Sequence, residues 1–213
     1  MLIIHHLIYS RSDRIVWLAE ELGINYEMVK HYRDPQTFRS PPSLWEISPM
    51  GKAPIIQDGN TMVFESGAVT EYIVDHYGQG RLRPEAGTPE YLQYLHWMHA
   101  AESTLMLPVL LDVLPKMTQT NSPLLAGFAQ GEYKTVFDYL GKTVGTNGYI
   151  AGSEFTAADI MVSYPLRMAD NTALPPVGLE SSAPCAEYPN IVNYLNRLRS
   201  RPAYQRAEKK CMP

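Results

Sequence analysis

Residues 2–8 form a short apolar run that carries His5 and His6, the pattern of a buried strand. Adjacent strand residues point to opposite faces, so these histidines read as separate structural groups and not as a metal pair. From 11 to 22 the period changes. Ile15, Val16, Leu18, Ala19 and Leu22 recur at helical spacing, and Gly23 offers a stop. Residues 26–30 return to strand-like alternation. Strand, helix and strand in this order predict a right-handed crossover with parallel pairing. A Pro- and Ser-rich stretch follows, with a short helical piece around 43–47. Two short apolar runs, 55–56 and 62–64, then flank an Asp58-Gly59-Asn60 turn and predict a hairpin. A helix over 66–77 follows, with Ala68, Val69, Tyr72, Ile73 and His76 on its apolar face.

Periodicity lapses over 78–89, where turn residues accumulate and predict a linker. Beyond it the pattern is helical throughout. Residues 90–117 read as one long helix that Pro108 and Pro115 should kink or end. Residues 121–143 give a second, softened by Gly127, Gly131 and Gly141. Thr156 with Asp159 resembles a capping box ahead of an apolar segment over 160–168. A loop with several prolines spans 172–189, a helix spans 188–199, and Pro202 can open another short one. The expected organisation is a mixed α/β domain over 1–79, a linker over 80–88 and an all-helical domain over 89–213.

Composition narrows the class. Across 213 residues, 45% hydrophobic and 19% charged content describe a globular chain, and a formal charge of −4 argues against nucleic acid as the main partner. No run approaches the roughly 20 apolar residues that a membrane helix requires. The first ten residues lack the basic n-region and the long apolar run of a secretory signal, so a cytoplasmic protein is expected. The cysteines are Cys185 and Cys211, with no CxxC, which predicts free thiols and gives no zinc ribbon or dithiol centre. The first 79 residues hold no cysteine, which argues against thiol–disulfide exchange through a protein thiol.

Two stretches carry candidate chemistry. In 48–66, Pro54 has no N–H to give to a sheet, leaving the backbone of Ala53 open to an extended ligand. Ser66, at a helix start, places its hydroxyl and the first helical N–H groups where a carboxylate could sit. Each residue also has a plain structural use, as a strand-starting proline and an N-cap. In Tyr9-Ser10-Arg11-Ser12-Asp13-Arg14, two serines stand at a helix start. A hydroxyl there can donate to an anion, and a ligand thiolate in that position would have its pKa lowered. Ordinary capping by Ser10 or Ser12 is the competing reading.

Taken together, YSRSDRIVWLAEELGINYE, RDPQTFRSPPSLWEISPMGKAPII, ESGAVTEYIVDHY and GSEFTAADIMVSYPL resemble the glutathione S-transferases, near the bacterial and fungal branch with a serine-centred site. The resemblance covers almost the whole chain. It implies a thioredoxin-like N-terminal domain followed by an all-α domain, a homodimer, and glutathione as cosubstrate without a metal. It implies that Ser10 stabilises the glutathione thiolate, with Ser12 as its rival. Ala53 would pair with the cysteinyl backbone ahead of a cis Pro54, and Lys52 would lie near the glycyl carboxylate. Glu65 and Ser66 would hold the γ-glutamyl end, and Glu102 would reach across a dimer. Arg11, His99, Ser103, Met106 and Leu107 would wall the site of a small hydrophobic electrophile. Detoxifying conjugation and reduction of organic hydroperoxides are the implied activities. The alternatives are a non-catalytic glutathione-binding or regulatory protein and a glutathione-dependent lyase, isomerase or dehalogenase.

Overall fold

The computed structural model describes residues 1–145, 148–173 and 180–213. The described chain separates into two compact units, Met1–Leu82 with Ser200–Pro213, and Arg83–Arg199.

The first unit is built on a four-stranded sheet ordered β2-β1-β3-β4. β1 (Leu2–Leu7) pairs in parallel with β2 (Tyr26–His31) across α1 (Asp13–Leu22), as the strand–helix–strand pattern predicts. β3 (Ile55–Asp58) lies antiparallel to β1 and forms a hairpin with β4 (Thr61–Phe64), Asp58 facing Thr61 across the turn. Gly59 at φ 58 supplies the left-handed conformation the tight turn needs. Alternation along β1 sorts its histidines. His5 turns towards His31, and His6 turns towards the helix start at Ser12 and the chain end at Cys211. α2 (Pro42–Trp45) contributes Leu44 to a cluster with Leu7 and Ile55. α3 (Ser66–Tyr77) buries Val69, Thr70, Ile73 and Val74, while Ala68 and His76, expected on its apolar face, are exposed.

The expectation of one helical domain running from 89 to the end is corrected at its end. α9 (Pro202–Cys211) belongs to the first unit. Tyr204 meets Trp17 of α1 edge-on at a ring distance of 5.0 Å. Arg201 pairs with Glu21 through two bonds of 2.6 and 2.9 Å, and Arg206 and Lys210 converge on Glu20 at 2.9 and 2.6 Å. A thiol therefore does stand in this unit, because Cys211 returns to β1.

The second unit holds α4 (Pro89–Ala100), α5 (Met106–Met117), α6 (Pro123–Val144), α7 (Ala157–Ala169) and α8 (Pro189–Arg199). The long helix expected over 90–117 is two helices, broken at 101–105. Pro108 lacks an N–H and its ring crowds the carbonyl four residues back, so the helix restarts with Pro108 in its first turn, where no donor is needed. Glycines do not interrupt α6. α7 is buried almost all round, and Asp159 anchors its start. That carboxylate accepts from the N–H groups of Ile150 and Thr156 at 2.8 and 2.7 Å, and from the hydroxyls of Thr156 and Tyr194 at 3.0 and 2.7 Å. Burial pushes its carboxyl up, against four donors that pull it down. The loop expected over 172–189 includes 174–179, which lie outside the described residues.

Candidate functional site

The loop between β1 and α1 gathers the first group. Tyr9 has a left-handed backbone, φ 57, unusual for a residue with a Cβ. Arg33 holds it there, donating to the carbonyls of Ile8 at 3.2 Å and Tyr9 at 3.0 Å while its guanidinium lies 4.7 Å from the Phe38 ring centre. The turn aims Ser10 at the start of α1. Ser10 Oγ accepts the Ser12 N–H at 3.1 Å and lies 2.7 Å from Ser12 Oγ. Ser12 is wholly enclosed: its Oγ accepts the Leu7 N–H at 3.1 Å and lies 2.9 Å from His6 Nδ1. Neither serine caps α1 in the ordinary way, since Asp13 and Arg14 N–H groups bond to the carbonyls of Ser10 and Arg11.

The second group is the start of α3. Glu65 also has a left-handed backbone, φ 72, and is exposed. Ser66 is buried, and its Oγ accepts from Arg14 Nη2 at 3.0 Å. Arg14, 1% exposed, brings a permanent positive charge beneath a helix N-terminus, an environment that favours a carboxylate. Sequence reasoning passed over Arg14 as a site residue. Its signal was present: Arg14, Leu18 and Leu22 share the buried stripe of α1, so a charge occupies an apolar position.

The third group precedes β3. The Ala53–Pro54 peptide is cis, as the resemblance implies. Pro54 is buried, Ala53 half-buried and Lys52 exposed. Gly51 has φ 55, and a Cβ there would come within 2.2 Å of the Trp45 ring, so only glycine fits. These three groups lie in the first unit, together with half-buried Arg11.

In the second unit His99, Ser103 and Leu107 are exposed and Glu102 is half-buried. Ser103 donates to the His99 carbonyl at 3.0 Å. Met106 corrects the expected wall, since at 1% exposure it is a core residue with no surface to offer a ligand. Helical spacing could not separate the buried from the open side of α5.

His6, Asp13 and Cys211 bring one donor atom each to within 4.8 Å of one another. Both ring nitrogens of His6 are already engaged, Nδ1 by Ser12 and Nε2 by the Cys211 carbonyl at 3.2 Å, so the grouping is a hydrogen-bonded one. Burial is the main force lowering the His6 pKa, with Lys30 acting the same way and Asp13 and the Cys211 carbonyl opposing. Cys185 and Cys211 are both free thiols, and burial pushes Cys185 up to about 12, leaving it inert. No helix among the described residues is long and apolar enough to cross a membrane.

A cis-proline just before β3 of a mixed four-stranded sheet, with a helical unit following, defines a thioredoxin-like domain joined to an all-α domain. Comparison with known proteins agrees. The glutathione S-transferase N-terminal domain pattern matches residues 2–75 and the C-terminal domain pattern matches residues 111–202. Glutathione S-transferase 3 of Schizosaccharomyces pombe is 34% identical, covering 99% of this chain and 88% of its own. A crystal structure of a glutathione S-transferase from Actinobacillus pleuropneumoniae superimposes with a TM-score of 0.86 at 30% identity, covering 99% of this chain and 93% of its own. A glutathione transferase homolog from Sulfitobacter, solved with bound glutathione, shares the fold at a TM-score of 0.78 and 18% identity, covering 100% and 99%. The chain belongs to the glutathione S-transferase family.

Proposed function

We propose that the protein binds glutathione in its first unit and lowers the pKa of the glutathione thiol through the Ser10 hydroxyl, delivering a thiolate to a small hydrophobic electrophile. The observation that carries this reading is the contrast between the two serines. Ser12 is sealed and fully partnered, whereas Ser10 ends the same network with one lone pair left for a ligand. A hydrogen bond to a charged acceptor is worth about 1.5–3 kcal/mol, which corresponds to a thiol pKa lowered by about 1–2 units.

The remaining groups supply recognition. The Ala53 backbone beside Pro54 pairs with the cysteinyl part of the peptide. Lys52 attracts the glycyl carboxylate. Ser66, with Arg14 beneath it, receives the γ-glutamyl carboxylate, and Glu65 the ammonium. The glutathione held by the Sulfitobacter relative supports the choice of ligand. His99, Ser103 and Leu107 are the exposed candidates for electrophile contact, and the same thiolate would serve for reduction of organic hydroperoxides. Pairing as a homodimer, with Glu102 directed to a partner site, completes the proposal, and the family's detoxifying role in the cytoplasm is its setting.

Steady-state kinetics with a chromogenic electrophile, alongside calorimetric glutathione binding, test the reading. Ser10→Ala should lower kcat/KM by roughly 10²-fold, in the range for loss of one oxyanion donor, while glutathione still binds. An unchanged rate, or no binding by the wild type, overturns it.

A further inference from the structure

We propose that His6 is the internal acceptor of the glutathione thiol proton, which reaches it through the hydroxyls of Ser10 and Ser12. This rests on the reading of Ser10 as the group that meets the sulfur. The connection is continuous: Ser10 Oγ to Ser12 Oγ is 2.7 Å, Ser12 Oγ to His6 Nδ1 is 2.9 Å, and all three residues are buried.

Hydrogen counting fixes the direction. The Cys211 carbonyl can only accept, so His6 Nε2 carries a hydrogen and Nδ1 of the neutral ring is bare. The Ser12 hydroxyl has two acceptors in reach, the bare Nδ1 at 2.9 Å and the Leu7 carbonyl at 3.3 Å, and donates to the nearer Nδ1. Its oxygen accepts from the Leu7 N–H and, having spent its single hydrogen, also accepts from the Ser10 hydroxyl. At rest the Ser10 hydrogen points inward, the wrong way to stabilise a thiolate. A thiol S–H meets the remaining lone pair of Ser10 instead.

One concerted shift resolves this. The thiol hydrogen passes to Ser10 Oγ, the Ser10 hydrogen to Ser12 Oγ, and the Ser12 hydrogen to His6 Nδ1. Each hydroxyl gains one proton and gives one, the S–H electron pair stays on sulfur, and the products are a thiolate and an imidazolium. Every hydroxyl has now reversed, so that Ser10 donates outward to the sulfur. The imidazolium keeps the proton while the thiolate is bound, and its surroundings act on that charge in both directions. Asp13 Oδ1 on α1 lies 3.9 Å from Nδ1 and favours the charge, as does the Cys211 carbonyl. Burial and Lys30 of β2 oppose it, and His31 of β2 is the other titratable group that feels the ring, with the Cys211 thiol of α9 beside it. The ring is thus neutral before binding and available as an acceptor.

Proton counting separates this role from a merely structural one. Calorimetry of glutathione and of S-methylglutathione, in buffers of different ionisation enthalpy at a pH below the free thiol pKa, gives the protons exchanged by each. The thiolate absorbance reports ionisation separately. In the wild type the thiolate band should appear while both ligands release the same number of protons. In His6→Gln, and independently in Ser12→Ala, which keeps the ring but cuts the chain, glutathione should release about one proton more than its S-methyl analogue, or form no thiolate. The relay is overturned if the wild type releases about one extra proton while forming thiolate, or if both variants match the wild type in count and absorbance. If the wild type forms no thiolate at all, the parent reading of Ser10 fails instead.

Discussion

Tyr9 and Glu65 stand immediately before Ser10 and Ser66, and both have left-handed backbones, at φ 57 and 72. Such a conformation costs a residue with a Cβ roughly 1–2 kcal/mol, so two cases beside the two serines proposed to meet glutathione mark where the chain trades stability for aim. Glu65 is exposed, and a charge pair in water is worth at most about 1 kcal/mol. Glu65→Gln should therefore raise KM for glutathione by roughly fivefold and spare kcat, in initial-rate measurements at saturating electrophile. Equal loss of kcat would place Glu65 in the chemistry instead of in binding. At this scale the sequence was legible where a residue type has a local signature of position: a proline just before β3, Ser66 at the start of α3, and Ser10 and Ser12 just before α1. Arg33 was not, because its partners at Ile8 and Tyr9 are brought to it by β2 and not by spacing. His6 was read as structural, and its link to Ser12 depends on which face of β1 meets α1.

Among elements, the strands, α1 and α3 followed from period alone, since each buries one face against a neighbour in the same unit. α9 did not. Its sequence shows a short polar helix, and nothing local says that it returns to α1 across more than a hundred intervening residues. There it buries Ala203, Tyr204 and Ala207, sets Tyr204 against Trp17 and supplies the carbonyl that orients His6. Glu20 shows the same docking electrostatically. Burial raises its pKa, but Lys210, Tyr26 and Arg206 outweigh this and hold it below the usual carboxylate range. A chain ending at Arg199 should lose about 3 kcal/mol or more of stability, mostly from exposing Tyr204's side of α1, in urea unfolding followed by fluorescence. A loss under about 0.5 kcal/mol would show that α9 is only an appended helix.

For the molecule as a whole, the three buried histidines of the first unit set an acid limit. Burial lowers the pKa of His5, His6 and His31, with His31 adding to the effect on His5 and His6 adding to that on His31. Because their folded pKa values lie below the ordinary 6.5, the unfolded chain binds more protons as pH falls. Stability is fully present above about pH 6.5 and is lost progressively as pH drops through the folded values. The urea midpoint should fall between roughly pH 7 and 5, and fall less in His31→Gln. A midpoint with the same slope in both proteins would remove His31 from the account. The division into two units was legible from the turn-rich stretch around residue 80, but not the crossing of 200–213 back to the first.

The central claim is that Ser10 makes a thiolate of bound glutathione, and an ultraviolet titration of the glutathione-saturated protein tests it most directly. The thiolate band in the wild type should titrate about 1–2 units below the ordinary thiol value near 8.5, and Ser10→Ala should return it there. Superimposable curves for the two proteins would contradict the account.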